Sequence, residues 1–183
     1  MEKYRERIIK EIETSLRAID LGQMQEMVQI ILDAKRVFCD GLGRSGLAMR
    51  GFAMRLGQLG KSSALVGEAT SPAFGAGDML FICTASGSSP TLLYHAKKAK
   101  EYGGKVMLIT GKSDSELAKL ADGMIIVQAP DKDQKGAEKG SIQPMGSLFE
   151  QTSQLVCDII ALELMERLEM SSEEMRKYHA NIE

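Results

Sequence analysis

Apolar residues first recur at helical spacing. Ile9, Ile12, Leu16 and Ile19, then Met24, Met27, Val28 and Ile31, predict a helical pair over residues 2–34 with a break near Gly22. From residue 36 the pattern changes to short apolar runs, at 36–40, 62–66, 79–83, 105–110 and 123–127, which predict strands. Helices are expected between them over 45–59 and 92–102, and a shorter one over 115–121. Strands alternating with helices argue for an α/β fold in three layers. Five parallel strands would be covered on both faces, with the strand-to-helix loops gathered at one edge. Residues 128–144 break this rhythm with Pro, Gly, Lys, Asp and Glu, and predict a surface loop with the character of a lid. A long helix over 147–168 follows. Its apolar stripe (Leu148, Phe149, Leu155, Val156, Ile159, Ile160, Leu162, Met165) is broad enough for burial on two sides, one against a partner subunit. The Ser171-Ser172-Glu173-Glu174 run caps a last short helix ending near His179. The chain therefore reads as a single domain, 1–183: a helical segment 1–34, an α/β core 35–168 and a C-terminal helix 171–183.

Composition narrows the setting. The chain has 183 residues, 44% of them hydrophobic, enough for one domain with a full core. A net charge of −2 implies neither a nucleic-acid footprint nor a membrane-surface patch. No apolar run reaches membrane-spanning length, and the charged N-terminus lacks a signal core, so a cytoplasmic protein is expected. Cys39, Cys83 and Cys157 are far apart in sequence and lie in strand-like or helix-like runs; inert buried thiols are expected, not disulfides or metal ligands. The 12 Met residues are expected as core and interface filler, with no metal site.

Chemistry gathers at two loops. The strand over 79–83 runs into Thr84-Ala85-Ser86-Gly87-Ser88-Ser89-Pro90-Thr91 and then a helix. Small hydroxylated residues opening a helix can hold an anion on free N–H groups and the helix dipole, or can simply cap the helix. This loop contains no Lys or Arg, so a phosphate there would rest on hydroxyls and amides. After the first strand, Gly41-x-Gly43-x-x-Gly46 matches the dinucleotide fingerprint, with Glu68 near the position of an acidic ribose ligand. Against that reading, Glu68 follows a Gly beyond the second strand, and the third strand carries a second anion-type loop that a dinucleotide fold does not require. Both loops make better sense as one pocket, where Ser45, Ser86, Ser88 and Thr91 converge on one phosphate ester.

These motifs resemble the sugar isomerase (SIS) domain family: Gly41-x-Gly43-x-Ser45-Gly46, then Ser86-Gly87-Ser88-x-x-Thr91 after the third strand. The resemblance implies a flavodoxin-like order for the five parallel strands, with extra N-terminal and C-terminal helices. Within that family the chain is most similar to the 6-phospho-3-hexuloisomerases. Phe52-Ala53-Met54-Arg55-Leu56, Val66-Gly67-Glu68-x-Thr70-x-Pro72, Pro144-Met145-Gly146-x-x-Phe149-Glu150 and His179-x-Asn181 carry that resemblance. Ser89 and Pro90 depart from the family's usual Gly-x in the third-strand loop. The implied reaction interconverts D-arabino-hex-3-ulose 6-phosphate and D-fructose 6-phosphate through an enediol, in the ribulose monophosphate pathway of formaldehyde fixation, without a cofactor. Another SIS isomerase of pentose or heptose phosphates, or a non-catalytic sugar-phosphate regulator, is the alternative. Relatives imply a homotetramer.

The resemblance assigns Glu150 as the base. On residues alone, Ser147-x-x-Glu150 also reads as a capping box. His179 is the second catalytic candidate, an acid/base on the sugar oxygens supplied from a chain-terminal segment able to reach a neighbouring subunit. Gly43, Arg44, Ser45, Ser86, Gly87, Ser88 and Thr91 are expected to hold the phosphate and sugar, with Glu68 and Thr70 bordering the sugar. Arg55, on the helix, is expected either to face the substrate oxygens or phosphate or only to form an ion pair, and His95 is expected as a surface or packing residue.

Overall fold

A computed structural model describes residues 1–129 and 140–182. Most of the expected lid, 130–139, lies outside the described residues. The chain opens with α1 (Glu2–Arg17) and α2 (Leu21–Asp33). The break between them precedes Gly22, because the Asp20 carboxylate accepts from Gly22 N (2.7 Å) and Gln23 N (3.2 Å) and so begins α2. The alternating segment gives β1 (Val37–Gly41), α3 (Gly43–Gln58), β2 (Ser63–Leu65), β3 (Met79–Thr84), α4 (Pro90–Glu101), β4 (Lys105–Thr110) and β5 (Gly123–Ile126). The helix expected over 115–121 is only a single 3-10 turn, Ala118–Leu120. α5 (Ser147–Arg167) and α6 (Ser172–Arg176) complete the fold, α6 ending three residues before His179.

The strands pair in the order β2-β1-β3-β4-β5, all parallel, which is the flavodoxin-like order. Strand alternation divides the core in two. Val37, Cys39, Met79, Phe81, Cys83, Met107 and Ile109 face the layer of α2, α3 and α5. Phe38, Leu80, Ile82, Val106 and Leu108 face α4 and Leu117. Phe52 of α3 meets Phe81 edge-on at 5.7 Å, locking α3 onto β3. The leading helices dress the β5 edge: Gln23 Oε1 accepts from Ile126 N (3.0 Å), and Ser15 donates to the Gln128 carbonyl (2.9 Å). All three cysteines are free and buried; burial raises each thiol pKa, that of Cys83 to about 11, which keeps the thiols protonated and unreactive. No described helix is long and apolar enough to cross a membrane.

One buried ion pair fixes the edge opposite the loops. Arg36 donates to both Asp78 oxygens (3.0 and 2.7 Å), and Gly75 N donates to the same carboxylate (2.8 Å). Burial alone would raise the Asp78 pKa, but these bonds outweigh it and hold the carboxyl below its ordinary value. A depressed carboxyl pKa stabilises the fold above the unfolded-state value, and the gain is lost as pH falls through the folded-state value. Asp78→Ala is therefore expected to cost about 1–3 kcal/mol at neutral pH, because it removes the buried acceptor that Arg36 and Gly75 N share and leaves Arg36 only its bond to the Ala73 carbonyl. Urea unfolding of both proteins across an acid series should show this deficit shrinking as pH falls.

Candidate active site

Three helices begin at one hollow. Where β1 ends, Gly43 takes a positive φ of 56° and turns the chain into α3 behind Leu42. Strand and helix touch through glycine: a Cβ on Gly46 would stand 2.4 Å from the Gly41 carbonyl oxygen. The Gly-x-Gly-x-x-Gly spacing thus serves close strand-to-helix packing. Where β3 ends, Gly87 (φ 62°) brings the chain to Ser89 and Pro90, which open α4. A Cβ on Gly87 would fall 2.1 Å from Ser115 Oγ. Before α5, Met145 holds a left-handed φ of 57° and Gly146 is the N-cap.

None of these three N-caps satisfies its helix with a side chain, although Asp20 and Ser171 do so for α2 and α6. Leu42, Ser89 and Gly146 all line the same hollow of about 270 Å³. Free N–H groups and the positive ends of three dipoles therefore meet at one place, a setting for an anion. Ser45 and Ser86 reach this hollow, as expected, and Cys83, Phe149 and Glu150 complete its wall. Ser88 Oγ donates to Ser86 Oγ at 3.1 Å. Gly43, Gly87 and Thr91 stand in the two loops and first turns around it.

Glu150 does not form a capping box. Ser147 is already helical, and its hydroxyl instead accepts from Arg44 Nη1 at 2.8 Å. The same Nη1 lies 2.7 Å from Glu150 Oε2. That oxygen is sealed from solvent, and its contact with the guanidinium is an ion pair without hydrogen-bond alignment. A half-buried carboxylate at an anion site can take a proton from a bound carbon acid.

Other expected site residues stand apart. Glu68 is exposed and paired with Arg50, and neither Glu68 nor Thr70 lines the hollow, because the short β2 ends at the sheet's edge. His179 sits in a different depression with Arg55, Gln58 and Leu162, its Nδ1 2.8 Å from the Ala180 carbonyl. Leu162 is three turns beyond Glu150 on α5, about 18 Å along the axis. The two catalytic candidates of one chain are therefore not brought together. Arg55 bonds Gln58 (2.6 Å) and makes no ion pair among the described residues. His95 is not merely a packing residue: its Nδ1 is 2.7 Å from Asp40 Oδ2, and Asp40 Oδ1 accepts from Gly41 N (2.8 Å), which fixes the end of β1. Met145, Phe149, Ser89 and Cys83 are wall residues that sequence reasoning did not assign to the site. Among the described residues, no group of three His, Cys, Asp or Glu could hold a metal ion.

The SIS domain family model matches residues 30–155. The 3-hexulose-6-phosphate isomerase of Bacillus subtilis (strain 168) is 38% identical over 181 residues, covering 99% of this chain and 98% of its own. The 3-hexulose-6-phosphate isomerase of Methylomonas aminofaciens is 33% identical over the full length of both chains. A crystal structure from Methanococcus jannaschii, from which a molecular function of 3-hexulose-6-phosphate isomerase was inferred, superposes with a TM-score of 0.86 at 29% identity, covering 100% of each chain.

The glycine contact sets where the α3 start lies. Gly46→Ala should force α3 away from β1, destabilising the fold by about 2 kcal/mol or more. Affinity for inorganic phosphate, read by titration calorimetry on the folded variant, should fall about tenfold or more as the α3 amides retreat.

Proposed function

Given that the chain belongs to the SIS domain family, we propose that it catalyses the interconversion of D-arabino-hex-3-ulose 6-phosphate and D-fructose 6-phosphate, the isomerase activity carried in the names of its full-length relatives. The observation that carries this reading is the Glu150 carboxylate, its solvent-sealed Oε2 paired with Arg44, in the same hollow as three uncapped helix starts. The phosphate would rest on Ser45, Ser86, Ser88 and Thr91 and on the free amides of α3 and α4. Glu150 would take the proton from C2 of the 3-ketose, giving the 2,3-enediol, and return it to C3. Arg44, beside Glu150, would stabilise charge on the sugar oxygens.

Moving the hydroxyl proton between O2 and O3 needs a second group, and His179 fits that role from a second copy. Leu47 and Met54 on α3, and Ile159 and Leu162 on α5, are exposed large apolar residues. With Gly51 and Leu155 they repeat at i, i+4, i+7 on each helix, a seam for another pair of helices. Its ends lie near the two candidates: Leu47 borders Glu150, and Leu162 borders His179. A two-fold copy laid antiparallel on this seam would set the His179 end of one chain against the Glu150 end of the other. We assign the protein to a homotetramer containing this pairing, and to formaldehyde fixation by the ribulose monophosphate route. Free, buried thiols support a cytoplasmic setting.

Fructose 6-phosphate formed from the 3-ketose is the direct test. Glu150→Gln should lower kcat by about 10²-fold or more; full activity in that variant would overturn Glu150 as the base, and tight sugar-phosphate binding without turnover in the wild type would favour a regulatory protein instead. His179→Ala should be similarly impaired. Mixing the two inactive variants under conditions of subunit exchange should restore part of the activity, since some sites then draw an intact Glu150 and an intact His179 from different chains. No recovery from well-mixed oligomers would exclude the shared site.

A further inference from the structure

A second carboxylate, far from the phosphate loops in sequence, organises the segment that carries the proposed base. Glu11 lies on α1, and its side chain is 10% exposed. Its oxygens accept three hydrogen bonds from residues leading into α5: from Ser141 Oγ (2.6 Å), Ile142 N (2.9 Å) and Gln143 Nε2 (3.3 Å). Arg7 stands 3.5 Å away on the preceding turn of α1. The hydrogen bonds outweigh the burial that would raise its pKa, so Glu11 stays ionised and accepts on both oxygens. Ser141 and Gln143 are themselves buried, at 7% and 8% exposure, and Gln143 N donates back to Ser141 Oγ (3.0 Å). Gln143 Oε1 then accepts from Gln151 Nε2 (2.7 Å), one residue beyond Glu150 on α5. Between the two glutamines lie Met145, with its left-handed backbone, and Gly146, both in the wall of the hollow.

We propose that Glu11 is a positioning residue: it anchors the 141–143 turn to α1 and, through Gln143 and Gln151, sets the first turn of α5 so that Glu150 meets the bound sugar phosphate. This rests on Glu150 being the base. Four residues separate the Ser141 anchor from the α5 N-cap, and Met145 among them holds a left-handed conformation that is costly and persists only when its surroundings impose it. Glu11 supplies that constraint on one side, and the Ser147 N bond to the Pro144 carbonyl (3.1 Å) supplies it on the other. Among the described residues, Glu11 neither lines the hollow nor bonds to the β1 and β3 loops. Loosening the anchor therefore moves the base relative to a substrate that still binds.

The discriminating readout is the split between kcat and KM. Glu11→Gln keeps the shape but presents an amide donor to groups that are themselves donors. It should lower kcat about tenfold or more, since a shift of an ångström at the reacting atoms costs up to about 10²-fold. KM and the affinity for inorganic phosphate should stay within about twofold. Ser141→Ala should give a smaller loss in the same parameter. Glu11→Gln combined with Gln143→Ala should cost no more than the larger single loss, because both act through one linkage. A folded Glu11→Gln with wild-type kcat, a loss confined to KM, or fully additive losses in the pair would each overturn the inference. Glu150→Gln assayed alongside separates the two readings: if it stays active the base assignment fails, and if it is inactive while Glu11→Gln is unimpaired only the anchor fails.

Discussion

The structure depends on leaving three helix starts unsatisfied at one point. Each α-helix presents free N–H groups and about half a positive charge at its N-terminus, and a side-chain cap is worth about 1 kcal/mol. Here α2 and α6 take that stabilisation, from Asp20 and Ser171. The helices that meet at the hollow do not: α3 begins at Leu42 and α5 at Gly146, which have no capping group, and the Ser89 hydroxyl at α4 is unused. The strand order makes the meeting unavoidable. β1 and β3 are neighbours although β2 lies between them in sequence, so α3 and α4 leave on opposite faces from adjacent strand ends. An anion placed there completes all three helices at once, with no Lys or Arg in the 84–91 loop.

Such a site must be formed before its ligand arrives, and the glycines explain how. At Gly46 the neighbouring group is the Gly41 carbonyl, and at Gly111 it is the Ala85 carbonyl, 2.9 Å from where a Cβ would stand. These are backbone contacts, so the positions of the α3 start and of the β3 loop are set by main-chain packing, without flexible side chains. The Asp40–His95 pair adds a polar tie of α4 to the end of β1, beside the same glycine turn. α5 is different: it comes from far along the chain, its start is not packed against glycine, and its approach is held by side chains from α1.

The sequence made the fold legible because its signals were local. Short unbroken apolar runs along 79–83 and 105–110 marked strands buried on both faces, and the Gly and Ser spacings marked two loops that the structure brings to one hollow. What failed to show was set at long range. Ser147 and Glu150 have capping-box spacing, but Arg44, from the first loop, takes the Ser147 hydroxyl, and the helix starts at Gly146 instead. Glu68 looked like a wall residue because it follows a strand, yet β2 is a three-residue edge strand and its exit leads to Arg50. His95 gave no hint of Asp40, fifty-five positions away. His179 was legible as chemistry but not as geometry, since its place within one chain lies along the far half of α5.

Glu150 connects binding to chemistry through Arg44. The carboxylate stands in the first turn of α5, and its Oε2 lies 2.7 Å from Arg44 Nη1, which also donates to Ser147 Oγ. One guanidinium from the first loop thus holds both the start of the third helix and the carboxylate that follows it. In the proposed reaction the sugar oxygens would offer that guanidinium an alternative partner, where it could meet the charge that develops on the enediol. As Arg44 turned to the substrate, the Glu150 oxygen it holds would be released toward the carbon-bound proton. The side chain that positions the base would therefore also be the one that the substrate draws away from it.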